Sequence, residues 1–199
     1  DSLIIDSSQW SDPARSLQRV LEMQASDTAR FSLSDLAWMR SHFIRVALAS
    51  ACQSAPVLAD LPKVNTLKVT YGPGHRMSAC MLAAWIGVQL KCSLSPAGGL
   101  VLDRQNGSSI KISLTESESP CPLQKLELSG ADLTITINRE PQSCFVHASV
   151  DHPHFQRDSV QPADQGQDVD LIGEQLSRLG GTTRYFEVAP LLLALLKRL

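Results

Sequence analysis

The hydrophobic pattern of the chain changes near residue 95, and this change constrains the fold more than any other feature. Before it, apolar residues recur at helical spacing, and residues 78–90 are apolar at nearly every position. A helix that is apolar on all sides lies buried between layers of structure. After residue 95, short runs alternate polar and apolar side chains, as strands with one buried face do. The pattern predicts a mixed α/β (α+β) fold.

The N-terminal part is predicted to follow the order βααβα. A short strand at residues 3–5 precedes Asp12-Pro13, a helix start with an acceptor side chain and then proline at the first helical position. A second helix is predicted from a cap at Ser34 through Cys52, with Asp35 in its first turn. A strand at residues 63–70 and the buried helix at 78–90 complete this part.

The C-terminal part is predicted to be an antiparallel meander followed by two helices. Its strands are expected at 100–104, 109–114, 125–128, 133–138 and 144–150, with a two-residue hairpin turn at Asn106-Gly107 that needs positive φ at both positions. Residues 151–167 resemble a surface loop, and helices are expected at 168–179 and 183–199. We therefore expect an α/β unit at 1–95 and a meander-plus-helix unit at 96–199, or one continuous sheet through both.

Composition narrows the classes of function and location. The formal net charge of the 199-residue chain is −2, which does not favour nucleic acid or an anionic membrane as a partner. No apolar run approaches the roughly 20 residues that span a bilayer. Five cysteines without pairing spacing predict reduced thiols in the cytoplasm. The first residues lack Met and have the pattern of a strand interior, so a preceding segment is expected.

The sequence contains no set of residues that predicts catalysis. Gly72-Pro73-Gly74 lies between a strand and a helix but lacks a phosphate-binding glycine pattern, and its proline removes a donor. His75 and Arg76 begin the next helix and are a weak candidate anion site. The histidines at 152 and 154 are too few and too splayed to predict zinc, so no metal or cofactor is expected.

Aromatic and basic residues point instead to protein binding. Trp38, Arg40 and Arg45 fall on one predicted helix, and tryptophan with arginine is enriched at protein interfaces. The alternative is that Trp38 belongs to the core and Arg40 pairs with a carboxylate.

Three segments together resemble one known family. Residues 4–8 (IIDSS) with Asp12-Pro13 resemble its "VIVDSS…DP" segment, and residues 35–40 (DLAWMR) resemble its "DLxWxR" motif. The helix around Ala84-Trp85 resembles its "LLxAWLAxRL" helix, whereas Thr183-Arg184-Tyr185 is only loosely similar to its acidic-x-x-Tyr ending. The family is the glucose-6-phosphate dehydrogenase assembly protein, OpcA. The sequence departs from it after residue 40, where the family often has a tryptophan–arginine pair; here Arg45 keeps the charge and Phe43 takes the place of the aromatic residue.

The resemblance implies a role rather than a reaction. Such proteins bind glucose-6-phosphate dehydrogenase, promote its active oligomer and raise its activity in the oxidative pentose phosphate pathway. A cyanobacterial source is expected, where members are linked to thioredoxin, and Cys92 and Cys121 are a weak candidate redox pair. The alternatives are a metabolite sensor or, less favoured, a sugar-phosphate enzyme using residues 72–76 as its anion site.

Overall fold

The computed structural model describes residues 2–26, 32–141, 143–163, 171 and 183–199. Within these ranges the chain is a mixed α/β structure, as the sequence pattern predicts. The helices are α1 (Pro13–Ala25), α2 (Leu36–Met39), α3 (His42–Ala51), α4 (Ala55–Asp60), α5 (Arg76–Gln89) and α6 (Thr183–Leu196), with 3-10 turns at Ser7–Gln9 and Leu61–Lys63. The strands are β1 (Ser2–Ile5), β2 (Ser32–Asp35), β3 (Thr66–Tyr71), β4 (Cys92–Leu94), β5 (Val101–Arg104), β6 (Ser109–Glu116), β7 (Leu123–Ser129), β8 (Thr134–Asn138), β9 (Phe145–Asp151) and β10 (Arg157–Pro162).

Eight of these strands form one sheet, in the order β10-β9-β8-β7-β3-β6-β5-β4. β3 runs parallel to β6 and antiparallel to β7, and the remaining neighbours are antiparallel. β3 comes from before residue 95 and lies between two strands that follow it. The sheet therefore contains strands from both sides of the change in sequence pattern.

The sheet buries one face and leaves the other polar. On β3, Leu67 and Val69 are almost fully buried, whereas Lys68 between them points to the opposite face and pairs with Glu127 at 2.8 Å. α3 and α5 pack on the buried face, α6 packs on α5, and α1 packs on α6. This layering explains why α5 is apolar all round: residues 77–87 are all buried, between the sheet and α6. No helix in the described ranges is both long and apolar enough to cross a membrane.

β1 and β2 form a second, two-stranded sheet, and the helix between them, α1, joins the main core through Leu17. β1 and β2 pair in parallel, and α1 crosses between them. α1 begins as predicted: the Asp12 carboxylate accepts the backbone N–H of Arg15 at 3.0 Å, and Pro13 occupies the first turn. This unit places the turn after β1 against the start of α2.

Several predicted elements differ from the structure. The single helix expected over 34–52 is two helices, because the chain turns at Arg40 and Ser41, where Ser41 N–H bonds to the Trp38 carbonyl. Ser34 is a strand residue, and Asp35 is the cap of α2. β2, α4, β4 and β10 were not predicted, and β10 occupies part of the expected loop 151–167. The helix predicted at 168–179 lies outside the described residues except for Leu171.

The hairpin between β5 and β6 is present, but its turn differs from the prediction. Four residues, 105–108, connect the strands, and of Asn106 and Gly107 only Gly107 has positive φ, at 83°. The Asn106 side chain instead accepts the Ser108 N–H at 3.0 Å. This Asx-type bond closes the longer turn without a left-handed asparagine.

Candidate functional site

The turn after β1 and the end of α2 are joined by an ion pair between two of the sequence motifs. Arg40 donates Nη1 to Asp6 Oδ1 at 2.9 Å and Nη2 to Asp6 Oδ2 at 2.8 Å, and also reaches Ser8 Oγ at 3.3 Å. Burial alone would raise the pKa of Asp6, but the hydrogen bonds from Arg40 and Ser8 outweigh it and lower that pKa to about 2. Arg40 is only 7% exposed. Its guanidinium is paired with a carboxylate inside the fold, which is the alternative given from the sequence, whereas a contact of Arg40 with a partner stays a prediction.

Asp35 organises the elements next to this pair. Its carboxylate accepts the backbone N–H groups of Ser7 at 3.1 Å and Ala37 at 3.0 Å, and the hydroxyl of Tyr185 at 3.1 Å. Burial raises the pKa of Asp35 in spite of these donors. Three separate elements, the first turn, α2 and α6, are thus fixed by one buried side chain.

Trp38 and Arg45 form a stacked pair beside Asp35. The Arg45 guanidinium carbon lies 3.7 Å from the centroid of the Trp38 ring and 5.9 Å from that of Trp85. Arg45 Nε donates to Ser41 Oγ at 3.0 Å, and the Ser41 hydroxyl donates to the Trp38 carbonyl at 2.7 Å. Both Trp38 and Arg45 are partly exposed. The structure therefore brings together two of the three residues predicted to bind a partner.

Sequence reasoning missed two residues of this site, Arg184 and Tyr185. The Tyr185 ring meets Trp38 edge-on, with centroids 6.2 Å apart, and so holds the start of α6 against α2. Burial and then the charge of Arg184 lower the pKa of Arg45 to about 10. The signal in the sequence was an arginine in the first turn of a helix, where acidic residues are the favoured ones.

The glycines at 72 and 74 serve the packing of a tight turn. A Cβ on Gly72 would collide with the carbonyl oxygens of Ser119 and Cys121, and Gly74 has a φ of 76°. His75 occupies the cap position of α5 and Arg76, which is exposed, its first helical position. Arg76 faces a cleft of about 540 Å³. The predicted anion site is thus an open cleft rather than a closed phosphate loop.

This cleft lies where several strands end. Ser8 and Ser11 follow β1, Arg76 follows β3, and Glu116 is the last residue of β6. Crevices at the carboxyl ends of strands are the usual ligand positions in open α/β sheets. The cleft offers serine hydroxyls, the Arg76 guanidinium and two carboxylates, Asp12 and Glu116, a polar mixture suited to a small hydrophilic molecule.

The structure does not bring the predicted redox pair together. Cys92 lies on β4 and Cys121 just before β7, with β5, β6 and β3 between these strands. Four strand spacings amount to about 19 Å, whereas a disulfide needs Cα atoms within about 7 Å. Burial raises the pKa of the Cys92 thiol, and raises those of Cys52 and Cys80 to about 11 and about 12.

The histidines considered for a metal have other contacts. His152 Nδ1 accepts the backbone N–H of His154 at 3.1 Å, and Nε2 lies 3.3 Å from Asp60 Oδ2. In the part of the chain that the structure describes, no three metal-ligating side chains converge.

Comparison with known proteins gives one family and a set of distant structures. A family model for the C-terminal domain of a glucose-6-phosphate dehydrogenase subunit matches residues 31–189. No curated protein matches the chain significantly in sequence.

The solved structures resemble the chain in fold. A mutant 3-ketoreductase from Actinomadura kijaniata, in complex with TDP-benzene and NADP, has a TM-score of 0.55 at 10% identity, over 93% of this chain and 64% of that one. A Thermotoga maritima protein described as an oxidoreductase has a TM-score of 0.51 at 10% identity, over 96% of this chain and 68% of that one. The chain thus spans less than two thirds of the ketoreductase chain. At this identity the similarity concerns the fold alone.

Proposed function

Because the chain belongs to the OpcA-type family, whose model covers the C-terminal domain of a glucose-6-phosphate dehydrogenase subunit, we propose that it is a non-catalytic assembly factor. In this role it binds glucose-6-phosphate dehydrogenase, promotes the active oligomer and raises its activity in the oxidative pentose phosphate pathway. The motif resemblance to OpcA and the family match over residues 31–189 support the same partner independently of the side-chain geometry.

One structural observation supports binding through a particular surface. Arg45 is stacked on Trp38, both side chains remain partly exposed, and Arg45 makes no ion pair with a carboxylate among the described residues. An aromatic residue with an arginine already held over its ring loses little conformational entropy on binding. Such residues dominate the energy of many protein interfaces. We assign the partner-binding surface to Trp38 and Arg45.

The mechanism that we propose is differential binding. If the chain binds the dehydrogenase state of high substrate affinity more tightly than the state of low affinity, it shifts the population towards the former. A tenfold change in substrate affinity requires a preference of about 1.4 kcal/mol. One well-placed arginine at an interface supplies energies of this size.

The test is the rate of purified glucose-6-phosphate dehydrogenase against glucose 6-phosphate concentration, with and without this chain, each with and without reductant. We expect a lower apparent KM and a complex on size exclusion chromatography when the chain is present. No change in rate, together with no complex, would contradict the proposal. A difference in apparent KM between the reduced and oxidised samples would show that the activation is also under redox control.

A second candidate function is a metabolite sensor, and the observation that favours it is the cleft beside Arg76. A small polar metabolite that bonds to Arg76 there would raise the melting temperature of the chain in the absence of any protein partner. The test variant is Arg76→Gln, which removes the guanidinium from the cleft and should abolish the rise in melting temperature. Turnover of a sugar phosphate by the chain alone would indicate instead that the chain is a sugar-phosphate enzyme.

A further inference from the structure

Arg45 has hydrogen-bonding capacity that the described part of the chain leaves unused. Of its five N–H groups, Nε bonds to Ser41 Oγ at 3.0 Å and one Nη2 proton points to the Trp38 carbonyl at 3.4 Å. The remaining guanidinium protons have no partner among the described residues. A partly buried guanidinium is normally paired with a carboxylate, because removing an unpaired charge from water is costly.

A second positive charge, Arg184, immediately precedes Tyr185, whose ring centroid lies 6.2 Å from that of Trp38. Arg184 is exposed in the first turn of α6, and that turn contains no acidic residue. The N-terminus of a helix is itself a positive pole, so a cation there is unfavourable. The pKa of about 10 keeps Arg45 charged at neutral pH. Two arginines thus lie near the start of α6, and neither forms an ion pair with a carboxylate of the described residues.

The fold holds these charges in place. Arg45 is fixed against Trp38, and the hydroxyl of Tyr185 bonds to Asp35, which fixes the start of α6 beside α2. The Arg45 side chain and the backbone at the start of α6 are therefore held near each other, while the Arg184 side chain extends from that fixed position into solvent. An anion bound between them would remove the repulsion and use the free donors at little ordering cost.

We propose that Trp38, Arg45 and Arg184 form a receptor for a carboxylate side chain, an aspartate or glutamate on the surface of the protein partner. This inference rests on the proposed function and names the chemistry that the partner supplies. A protein carboxylate fits better than a free sugar phosphate because the surroundings are apolar. Two tryptophan rings lie at the Arg45 guanidinium carbon, with the centroid of Trp38 at 3.7 Å and that of Trp85 at 5.9 Å. Apolar side chains around an arginine are typical of an interface core.

The experiment measures the Kd between the full chain and purified glucose-6-phosphate dehydrogenase by biolayer interferometry. The variants are Arg184→Gln and Arg45→Gln, and the matched control is Arg19→Gln, which removes the same charge from the exposed face of α1. We expect each receptor variant to raise Kd about tenfold to a hundredfold, and the control to change it by less than about twofold. Arg45→Lys keeps the charge but not the planar fork, and should also weaken binding. Circular dichroism melting verifies that each variant is folded.

The outcomes separate the receptor from the proposed function. A complex that forms with unchanged Kd in Arg184→Gln and Arg45→Gln would overturn the receptor and leave the proposed function standing. No complex with the unaltered chain would overturn both. Double-mutant cycles on the free energy of unfolding pair Arg184→Gln with Asp168→Asn, Asp170→Asn or Glu174→Gln. Non-additive changes in such a cycle would show that one of the chain's own carboxylates fills the receptor, and would also overturn the proposal. A rise in melting temperature with inorganic phosphate, abolished by Arg184→Gln, would assign the receptor to a free anion instead.

Discussion

Arg40 and Asp6, 34 residues apart in sequence, form a two-pronged ion pair that fastens the turn after β1 to the end of α2. The side chain of Arg40 is 3% exposed and that of Asp6 is 19% exposed, so the pair is shielded from solvent. Both residues belong to segments that the sequence marks as motifs. The motifs therefore have a structural role, which is to hold the neighbouring site in position.

Replacing Arg40 with alanine is expected to destabilise the chain by about 3 kcal/mol, because Asp6 is left charged and shielded without its partner. Urea unfolding at pH 7 measures this change. Arg19→Ala on the exposed face of α1 is the control and should cost less than about 0.5 kcal/mol. Equal midpoints for the two variants would show that the ion pair contributes no stability.

Acid should remove the contribution of Asp6 to stability. Its pKa is about 2 in the folded chain and lies near 4 when the chain is unfolded. A depressed pKa stabilises the fold above the unfolded value, and this contribution is lost as the pH falls from about 4 to about 2. Urea midpoints measured across this range should fall more steeply for the unaltered chain than for Asp6→Asn. Parallel profiles would contradict the assignment.

Removing the hydroxyl of Tyr185 should cost about 1–3 kcal/mol, because one lone pair of the buried Asp35 carboxylate loses its donor. Tyr185→Phe preserves the edge-on contact of the ring with Trp38, so the variant isolates the hydrogen bond. Thermal unfolding followed by circular dichroism measures the loss. Tyr71→Phe is the comparison, because the structure gives the Tyr71 hydroxyl no such buried carboxylate partner among the described residues.

Gly72→Ala should destabilise the chain by about 3 kcal/mol, since its Cβ would meet two backbone carbonyls that cannot move independently of β7. Gly74→Ala has open space around it and is strained only by its positive φ, which costs about 1 kcal/mol. Urea unfolding of the two variants compares them directly. A smaller loss for Gly72→Ala than for Gly74→Ala would refute the close approach.

The cysteines should differ sharply in reactivity. Cys144 is exposed, whereas Cys52 and Cys80 have pKa values raised by burial to about 11 and about 12. Thiolates are the reactive form, so brief iodoacetamide treatment followed by peptide mass spectrometry should find Cys144 labelled first. Mild oxidation of the native chain should not join Cys92 to Cys121. A native disulfide between those two residues would require a different arrangement of β4 and β7.

The sequence predicts best those elements whose burial is decided by their own pattern. α5 is apolar on every side because the sheet and α6 enclose it, and its position was predicted to within a few residues. The start of α1 was predicted because capping is local chemistry: Asp12 bonds three residues ahead. The short strands were not predicted, because their own sequences carry little apolar pattern. β10 has a single aliphatic residue, Val160, since it is an edge strand that needs little apolar surface.

The candidate site could be predicted only in part, because its geometry depends on contacts between distant segments. Trp38 and Arg45 are close in sequence, and their aromatic and basic character was enough to mark them. The burial of Arg40 depends on Asp6, and the nearness of Arg184 depends on the docking of α6 through Tyr185. Neither contact leaves a periodic signal in the sequence. The break between α2 and α3, which turns Arg45 back over Trp38, is by contrast local, because both the N–H and the hydroxyl of Ser41 bond to the Trp38 carbonyl.

The central position of β3 has a consequence for how the chain reaches its native state. β6 and β7 are consecutive in sequence yet never pair, because β3 lies between them. The connection from β6 to β7 must therefore pass over the end of β3, which is synthesised well before either strand. During translation β3 and α5 leave the ribosome first and offer a template with two free edges, one for each later strand. Residues 96–199 expressed alone would lack that template, so the meander should depend on the first part of the chain for its folding.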